Sequence, residues 1–144
     1  MSGCALCERV DGVPVWADAH WQLVRATDTP AHPAFYRLVL RRHAAELSDL
    51  TPQELQQGLA RLVQAERVLR DHLQPAKVNV ASLGNVVPHV HWHLIARFHH
   101  DAHFPQPVWG SAQREPDEPW LQRLRERLPM LDRDIAGALD EQRA

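Results

Sequence analysis

The chain has 144 residues, of which 44% are hydrophobic and 24% charged, a balance typical of one globular domain. Its net charge of -2 excludes the broad basic face that duplex nucleic acid requires. No apolar run approaches the length of a membrane span, and the first residues lack the basic start and apolar run of a signal peptide. We therefore expect a cytoplasmic protein with no structural disulfide.

The first half of the chain predicts three strands and one long helix. The strand-like runs are residues 15–17, 21–26 and 35–40. Two prolines in residues 27–33 mark the loop before the third run. Thr51 as N-cap, Pro52 at the first helical position and Glu54 closing a capping box indicate a strong helix start, and Pro75 ends the helix. The predicted apolar stripe of this helix is Leu55, Leu59, Leu62, Val63, Leu69 and Leu73.

The second half predicts two more strands and a helical tail. The strand-like runs are residues 77–83 and 90–98, joined by a loop at residues 84–88. Five prolines between Pro105 and Pro129 predict an irregular segment, and a helical tail follows around residues 131–142. Five strands with one inserted helix indicate an α+β domain with a mainly antiparallel sheet. We divide the chain into a main unit, residues 1–110, and a C-terminal helical extension packed on or beside it, residues 111–144.

Three histidines alternate with apolar residues at His89, His91 and His93. Successive strand side chains point to opposite faces, so the three imidazoles line one face. Alternate residues lie about 6.6–6.8 Å apart along a strand, so two neighbours can share a metal but all three cannot. Histidine is also a nucleophile and a general acid or base at neutral pH. The alternative is a solvent-facing strand on which the histidines have no function. The strict alternation of three histidines makes this alternative less favoured.

The second constellation is Cys4-Ala5-Leu6-Cys7. Two cysteines at this spacing can chelate one zinc ion, and a tetrahedral site then needs two further ligands. A redox pair would sit at the start of a helix that follows a strand, and no strand precedes Cys4. A reduced, metal-free pair is the remaining alternative.

The pattern His-φ-His-φ-His-φ-φ, with φ apolar, is met at every position of residues 89–95 and resembles the motif of the histidine triad (HIT) family. The resemblance covers about residues 4–98. It includes Asn79, Gly84, Pro88, the sequence Arg41-Arg42-His43 and Cys4-x-x-Cys7. It implies a HIT-like fold and a nucleotide hydrolase or transferase that forms a covalent nucleotidyl-histidine. It also implies a two-fold dimer.

The resemblance further implies a role for each matching residue. His91 is the nucleophile, and His93 donates to a phosphate oxygen. A phosphoryl centre also needs donors around its oxygens, and Asn79, Asn85 and main-chain N–H groups at Gly84 to Val86 can supply them. The alternative for Asn79, which we favour less, is that it caps a bulge. Asp28 accepts the ribose hydroxyls, the alternative being an aspartate in a turn before Pro30. The implied zinc ligands are Cys4, Cys7, His43 and His89.

This sequence departs from the family pattern before the triad. Asn85-Val86 stands where many HIT proteins carry Gln-Ser or Gln-Thr. Val86 has no hydroxyl, so a serine or threonine cannot protonate the leaving group there. The departure bears on the substrate and leaves the nucleophile unaffected.

Several residues carry weaker hypotheses. Arg37, Arg41 and Arg42 can form a local cluster for a small phosphate ligand. Val24 and Leu38 can wall a nucleobase or belong to the core. The strip from Phe104 to Gly110 looks exposed and either covers the substrate or packs on a partner subunit. We treat the remaining histidines as surface residues: His20, His32, His72, His99, His100 and His103.

The sequence thus predicts hydrolysis at the α-phosphate of a nucleoside phosphoramidate or dinucleoside polyphosphate, with zinc in a structural role only. The alternatives are a nucleotidyltransferase, a nucleotide-binding scaffold with little turnover, and a metalloenzyme that uses His91 and His93 as ligands.

Overall fold

A five-stranded antiparallel sheet forms the centre of the computed structural model, which describes residues 3–143. The elements in chain order are α1 (Ala5–Glu8), β1 (Val13–Ala17), β2 (Trp21–Arg25), β3 (Phe35–Leu40), a 3-10 turn (Leu47–Asp49), α2 (Pro52–Leu73), β4 (Lys77–Ala81), β5 (His91–Arg97) and α3 (Glu118–Arg143). The strand order is β1-β2-β3-β5-β4. This confirms the predicted α+β class. None of the helices within the described range is long and apolar enough to cross a membrane.

The two long helices and one face of the sheet enclose the main core. The core includes Trp21, Leu38 and Trp92 from the sheet, Leu69 from α2 and Leu131 from α3. Because side chains alternate along β5, Trp92, Leu94 and Ala96 enter this core while His91 and His93 face the opposite side. The helices therefore leave the histidine face free for chemistry.

Helix α2 begins as the sequence predicts. The amide of Glu54 donates to the Thr51 hydroxyl at 3.1 Å, and that hydroxyl lies 3.2 Å from the Glu54 carboxylate. The predicted apolar stripe is wrong at Leu59, whose side chain is 55% exposed. Gly58 and Ala65 are buried in its place, because α2 approaches the sheet closely over the stacked rings of Trp21 and Trp92.

Helix α3 begins earlier than predicted, at Glu118, and continues through Pro129. Pro119 lies in the first turn, where its missing N–H would have no helical partner. Proline inside a helix lowers the stability of the helix by roughly 3 kcal/mol or more. In α3, the burial of a continuous apolar face offsets this loss. The face consists of Leu121, Leu124, Leu128, Leu131, Ile135 and Leu139. The end points of the predicted division, residues 1 and 144, lie outside the described range.

Candidate active site and metal centre

The triad histidines lie at the start of β5, beside β3 and β4. Val39 pairs with His91 and Arg37 pairs with His93 across the β3–β5 ladder. All three triad residues are buried, and the rings of His91 and His93 are 4.9 Å apart in an edge-to-face arrangement. The strand alternation predicted from the sequence therefore places His91 and His93 side by side.

His91 has one ring nitrogen committed to the main chain. Its Nδ1 lies 2.6 Å from the carbonyl oxygen of His89. A carbonyl only accepts hydrogen bonds, so Nδ1 carries the proton and Nε2 of the neutral ring keeps its lone pair. This arrangement prepares Nε2 to attack an electrophile.

His93 is enclosed by aromatic rings. Phe35 and Trp109 contact it edge-to-face, with ring centroids at 5.4 and 5.1 Å. Its Nδ1 is buried and has no hydrogen-bond partner among the described residues. Burial lowers the pKa of His93 to about 4, with repulsion from His91 and Arg37 acting in the same direction and Asp28 opposing them. His93 is therefore neutral at pH 7 and carries a single N–H.

The second cluster unites three distant parts of the chain. The four side chains are Cys4 and Cys7 at α1, His43 after β3 and His89 before β5. Their ligand atoms all lie within 4.8 Å of one another. His89 Nδ1 is 3.4 Å from the Cys4 sulfur and 3.5 Å from the Cys7 sulfur, and His43 Nδ1 is 3.3 Å from the Cys7 sulfur.

These distances fit a four-coordinate metal. In a tetrahedral zinc site with bonds of about 2.3 Å to sulfur and 2.0–2.1 Å to nitrogen, a sulfur and a nitrogen ligand lie about 3.6 Å apart. His89 Nε2 is 2.6 Å from the Leu40 carbonyl, an outer contact that directs Nδ1 towards the sulfurs. The cluster can therefore hold a metal ion. Within residues 3–143, no comparable ligand group surrounds His91 and His93.

The predicted phosphate-binding residues lie on β4 and in the loop before β5. Asn79 faces the histidine side, where its Oδ1 accepts from Arg97 Nη1 at 2.8 Å. Its amide nitrogen remains a donor. Asn85 and Val86 have exposed side chains, that of Val86 at 93%. The loop turns at Gly84, whose φ of 85° is in the left-handed region.

Two recesses open on either side of the histidines. One, of about 340 Å³, is lined by residues 45–48, 82–84 and 89–91. The other, of about 560 Å³, is lined by residues 9–13, Thr27, Asp28 and Arg37. The second recess is large enough for part of a nucleoside and contains the predicted ribose residue, Asp28.

Arg37 is a candidate site residue whose surroundings the sequence did not predict. Its Nη1 lies 3.3 Å from Asp28 Oδ1, and its guanidinium lies 5.1 Å from the centre of the Phe35 ring. The predicted arginine cluster is wrong, because Arg41 donates to the Asp18 carbonyl and Arg42 to the Glu54 carboxylate. The signal for Arg37 was a charged residue at an inner position of an otherwise apolar strand.

The structure decides the positions of three other residues. Leu38 is buried in the main core beside Trp92 and does not wall the recess, whereas Val24, also buried, pairs with Arg37 on the histidine side. His32 is not a surface residue: it is 7% exposed, and its Nε2 lies 2.8 Å from His103 Nδ1. Burial lowers the pKa of His32 to about 4.

The five-stranded sheet, the paired histidines and the Cys-His cluster agree with one family. The family model of the HIT domain matches residues 15–100, which is more than half of the chain. The chain therefore belongs to the histidine triad (HIT) family, whose members are nucleotide-binding hydrolases and transferases.

Solved structures agree with this assignment. A histidine triad protein from Sinorhizobium meliloti 1021 is 30% identical over 88% of this chain and 98% of that chain, with a TM-score of 0.65. One from Marinobacter aquaeolei VT8 is 26% identical over 92% and 98%, with a TM-score of 0.70. A Zn-bound histidine triad family protein from Mycobacterium smegmatis, 19% identical over 97% of both chains, shares the fold with a TM-score of 0.63. No curated protein gives a significant match.

Proposed function

We propose that this protein hydrolyses nucleotides at the α-phosphate through a covalent intermediate on His91. The observation that carries the proposal is the 2.6 Å contact between His91 Nδ1 and the His89 carbonyl. It leaves Nε2 free to act as a nucleophile in a buried site beside His93. Membership of the HIT family supports a nucleotide as the substrate.

The reaction has two steps. Nε2 of His91 attacks the α-phosphorus, a P–N bond forms, and the bond from phosphorus to the leaving group breaks with its electron pair on the leaving group, which takes one proton from solvent when it is an amine. Water then attacks the same phosphorus, the P–N bond breaks, and the mononucleotide is released with one proton going to solvent. Donors aimed at the non-bridging oxygens stabilise the charge that develops in both steps. The His93 N–H, the Asn79 amide and the loop around Asn85 and Val86 are the proposed donors.

We place the nucleoside in the recess beside Asp28. Its carboxylate is 70% exposed and is held by Arg37 at 3.3 Å, so one oxygen remains free to accept ribose hydroxyls. Arg37 lies between Asp28 and His93, which keeps a positive charge next to the proposed phosphate position.

The proposed metal is zinc, in a structural role, held by Cys4, Cys7, His43 and His89. The four donors are the sulfur and nitrogen ligands that zinc accepts in closed sites. Zinc bound there would join the N-terminal segment to the sheet. The similar protein from Mycobacterium smegmatis is described as Zn-bound, which supports this choice.

We also propose a cytoplasmic homodimer. One sheet edge, β1, carries Pro14 and a register shift, features that discourage pairing with another strand. The other edge, β4, has no proline and exposes 47% of Val80, so we place the subunit contact there. Light scattering that gives a monomer at micromolar concentration would reject the dimer.

The decisive experiment compares wild type with His91→Ala on adenosine and guanosine phosphoramidates and on diadenosine polyphosphates. Turnover should fall by about a thousandfold or more, as when a covalent nucleophile is removed, while binding of AMP persists because the neighbouring donors remain. His20→Ala, an exposed histidine in the turn before β2, is the matched control. An acid-labile nucleotidyl adduct on His91 would support the mechanism directly.

Near wild-type activity in His91→Asn would contradict the covalent mechanism. The same assay separates hydrolysis from nucleotidyl transfer, because transfer gives a nucleotide joined to an added acceptor in place of free mononucleotide.

A further inference from the structure

The larger recess extends from the paired histidines to the segment that precedes β1. On the histidine face of the sheet, His93 pairs with Arg37. Arg37 in turn pairs with Val24 on β2, and Val24 pairs with Pro14 on β1. Paired residues point to the same face, and adjacent strands lie about 4.8 Å apart. This row therefore crosses three strand spacings, and residues 9–12, which line the recess, lie at the end far from His93.

The covalent order of a nucleotide gives this far end a ligand. The proposed function places the phosphate at His91 and His93 and the ribose at Asp28. The base and the phosphate are attached to opposite sides of the ribose ring. A base joined to that ribose therefore extends away from the histidines, into the part of the recess that residues 9–12 enclose.

Asp11 presents a carboxylate oxygen at this position. Arg9 Nε donates to Asp11 Oδ1 at 2.7 Å, and Arg9 Nη2 lies 2.6 Å from the same oxygen. Within residues 3–143, no hydrogen bond is directed to Oδ2. The side chain of Asp11 is 74% exposed, so a ligand in the recess can reach it. Gly12 lets the segment lie close to β2, because a Cβ there would be 2.5 Å from the Arg25 carbonyl oxygen.

A carboxylate at the edge of a purine distinguishes guanine from adenine. Its two oxygens only accept hydrogen bonds. Guanine presents two adjacent donors on its Watson–Crick edge, N1–H and the 2-amino group. Adenine presents its 6-amino group beside N1, which is an acceptor, so the lone pair of N1 would face the lone pairs of the carboxylate. A carboxylate at this place therefore binds guanine and repels part of the adenine edge.

We propose that Asp11 selects guanine over adenine as the base of the substrate, by accepting hydrogen bonds from N1–H and the 2-amino group. This inference rests on the proposed function. The fork of Arg9 restrains the carboxylate through Oδ1 and leaves Oδ2 open to the ligand. Asp11 is then a specificity-determining residue that takes no part in the chemical step.

Equilibrium binding of mononucleotides to His91→Ala protein tests the selection without turnover. GMP should bind about tenfold more tightly than AMP, the scale of one bidentate contact to a base. IMP, which keeps N1–H and lacks the 2-amino group, should bind with intermediate affinity. Asp11→Asn in the same background should bring the ratio of GMP to AMP affinity to about one, because an amide both donates and accepts and can pair with either base.

Glu8→Gln is the matched control for Asp11→Asn. It removes one negative charge from the same N-terminal segment, and the exposed Glu8 lies outside the recess. This variant should keep the preference for GMP, and thermal unfolding shows whether each variant keeps its fold. A preference for GMP that persists in Asp11→Asn would overturn the role of Asp11. Equal binding of GMP and AMP to the His91→Ala parent would overturn the selection itself.

Turnover by wild type separates this inference from the proposed function. The value of kcat/KM should be about tenfold higher for guanosine phosphoramidate than for adenosine phosphoramidate, and Asp11→Asn should remove the difference. Equal cleavage of the two substrates would overturn the selection and leave the hydrolase intact. Preferred binding of GMP without cleavage of either substrate would contradict the hydrolase and leave the selection intact. Failure of both mononucleotides to bind would overturn both.

Discussion

His93 differs from an ordinary surface histidine because its surroundings oppose a positive charge. Burial between Phe35 and Trp109 lowers its pKa to about 4, and the neighbouring His91 and Arg37 add to the effect. A neutral ring gives the site one N–H donor without repelling a cationic His91 during the reaction. The charge state of this residue therefore follows from its neighbours.

The depressed pKa predicts how His93 contributes to stability. The unfolded chain protonates a histidine near pH 6.5, whereas folded His93 remains neutral to about pH 4. Between about pH 4 and pH 6.5, the unfolded state therefore binds more protons at this residue than the folded state does. The contribution of His93 to stability is complete above about pH 6.5 and is lost as the pH falls towards 4.

Replacing Arg37 by Met should raise the pKa of His93 from about 4, because a repelling cation is removed. The value should stay below 6.5, since burial continues to oppose the charge. An NMR titration of the His93 ring measures it, with Arg41→Met as the control because that guanidinium binds the Asp18 carbonyl. An unchanged pKa would show that Arg37 exerts no electrostatic effect on the site.

At the level of elements, the packing of α2 against the sheet requires a glycine at position 58. The apolar pattern of the helix does not predict this requirement. A Cβ built at Gly58 would lie 2.4 Å from Cζ2 of Trp21 and 2.9 Å from Cζ3 of Trp92. These rings stack at 5.1 Å beneath the helix. Gly58 therefore allows α2 to approach the strand that carries the triad.

Gly58→Ala should destabilise the protein by about 1–3 kcal/mol, the usual effect of overpacking a core, although alanine is the better helix former. Gly137→Ala is the matched control on α3, because nothing lies within 4 Å of its Cβ position. That substitution should stabilise by about 0.5–1 kcal/mol. Urea denaturation measures both, and stabilisation by Gly58→Ala would show that the two tryptophans can move apart.

Helix α3 shows where local sequence preference and tertiary packing disagree. Prolines predict an irregular chain up to Pro129, yet the helix runs through it. Polar anchors tie α3 to the sheet: the Tyr36 hydroxyl donates to Asp132 at 2.7 Å, and Trp16 Nε1 donates to Asp140 at 2.9 Å. These partners lie about a hundred residues away in sequence, so no local window contains them.

At the level of the whole molecule, the Cys-His cluster joins the N-terminal segment to two strands. Cys4 caps α1, Cys7 lies within it, His43 follows β3 and His89 precedes β5. A metal bound to all four would stabilise the folded state in proportion to its affinity, because the unfolded chain lacks the assembled site.

Purified wild type should contain stoichiometric zinc, and Cys7→Ser should lose it. Chelation should lower the thermal unfolding temperature while reducing turnover less at temperatures where the protein stays folded. Metal analysis measures the zinc content, and calorimetry measures the unfolding temperature. His20→Ala, which leaves the cluster intact, is the control. Immediate loss of activity on chelation, with unfolding unchanged, would support catalysis by the metal.

The sequence by itself determined the features that depend on local geometry. The period of two along a strand puts His91 and His93 on one face, and Thr51 with Pro52 starts α2 through contacts within one turn. The spacing of Cys4 and Cys7 likewise allows both to bind one metal. Each of these inferences needs only residues that are neighbours in the chain.

Only the tertiary structure decided which distant residues complete the site. It places Trp109 against His93 and Arg37 beside Asp28, and it buries the Arg97–Asp101 pair under the strip. It also requires a glycine at position 58 of α2, where the helix packs against Trp21 and Trp92, and it keeps α3 helical through Pro129. The physical reason is the same in each case. These positions are set by packing and charge pairing between segments far apart in sequence, and such long-range contacts outweigh the local preferences of the chain.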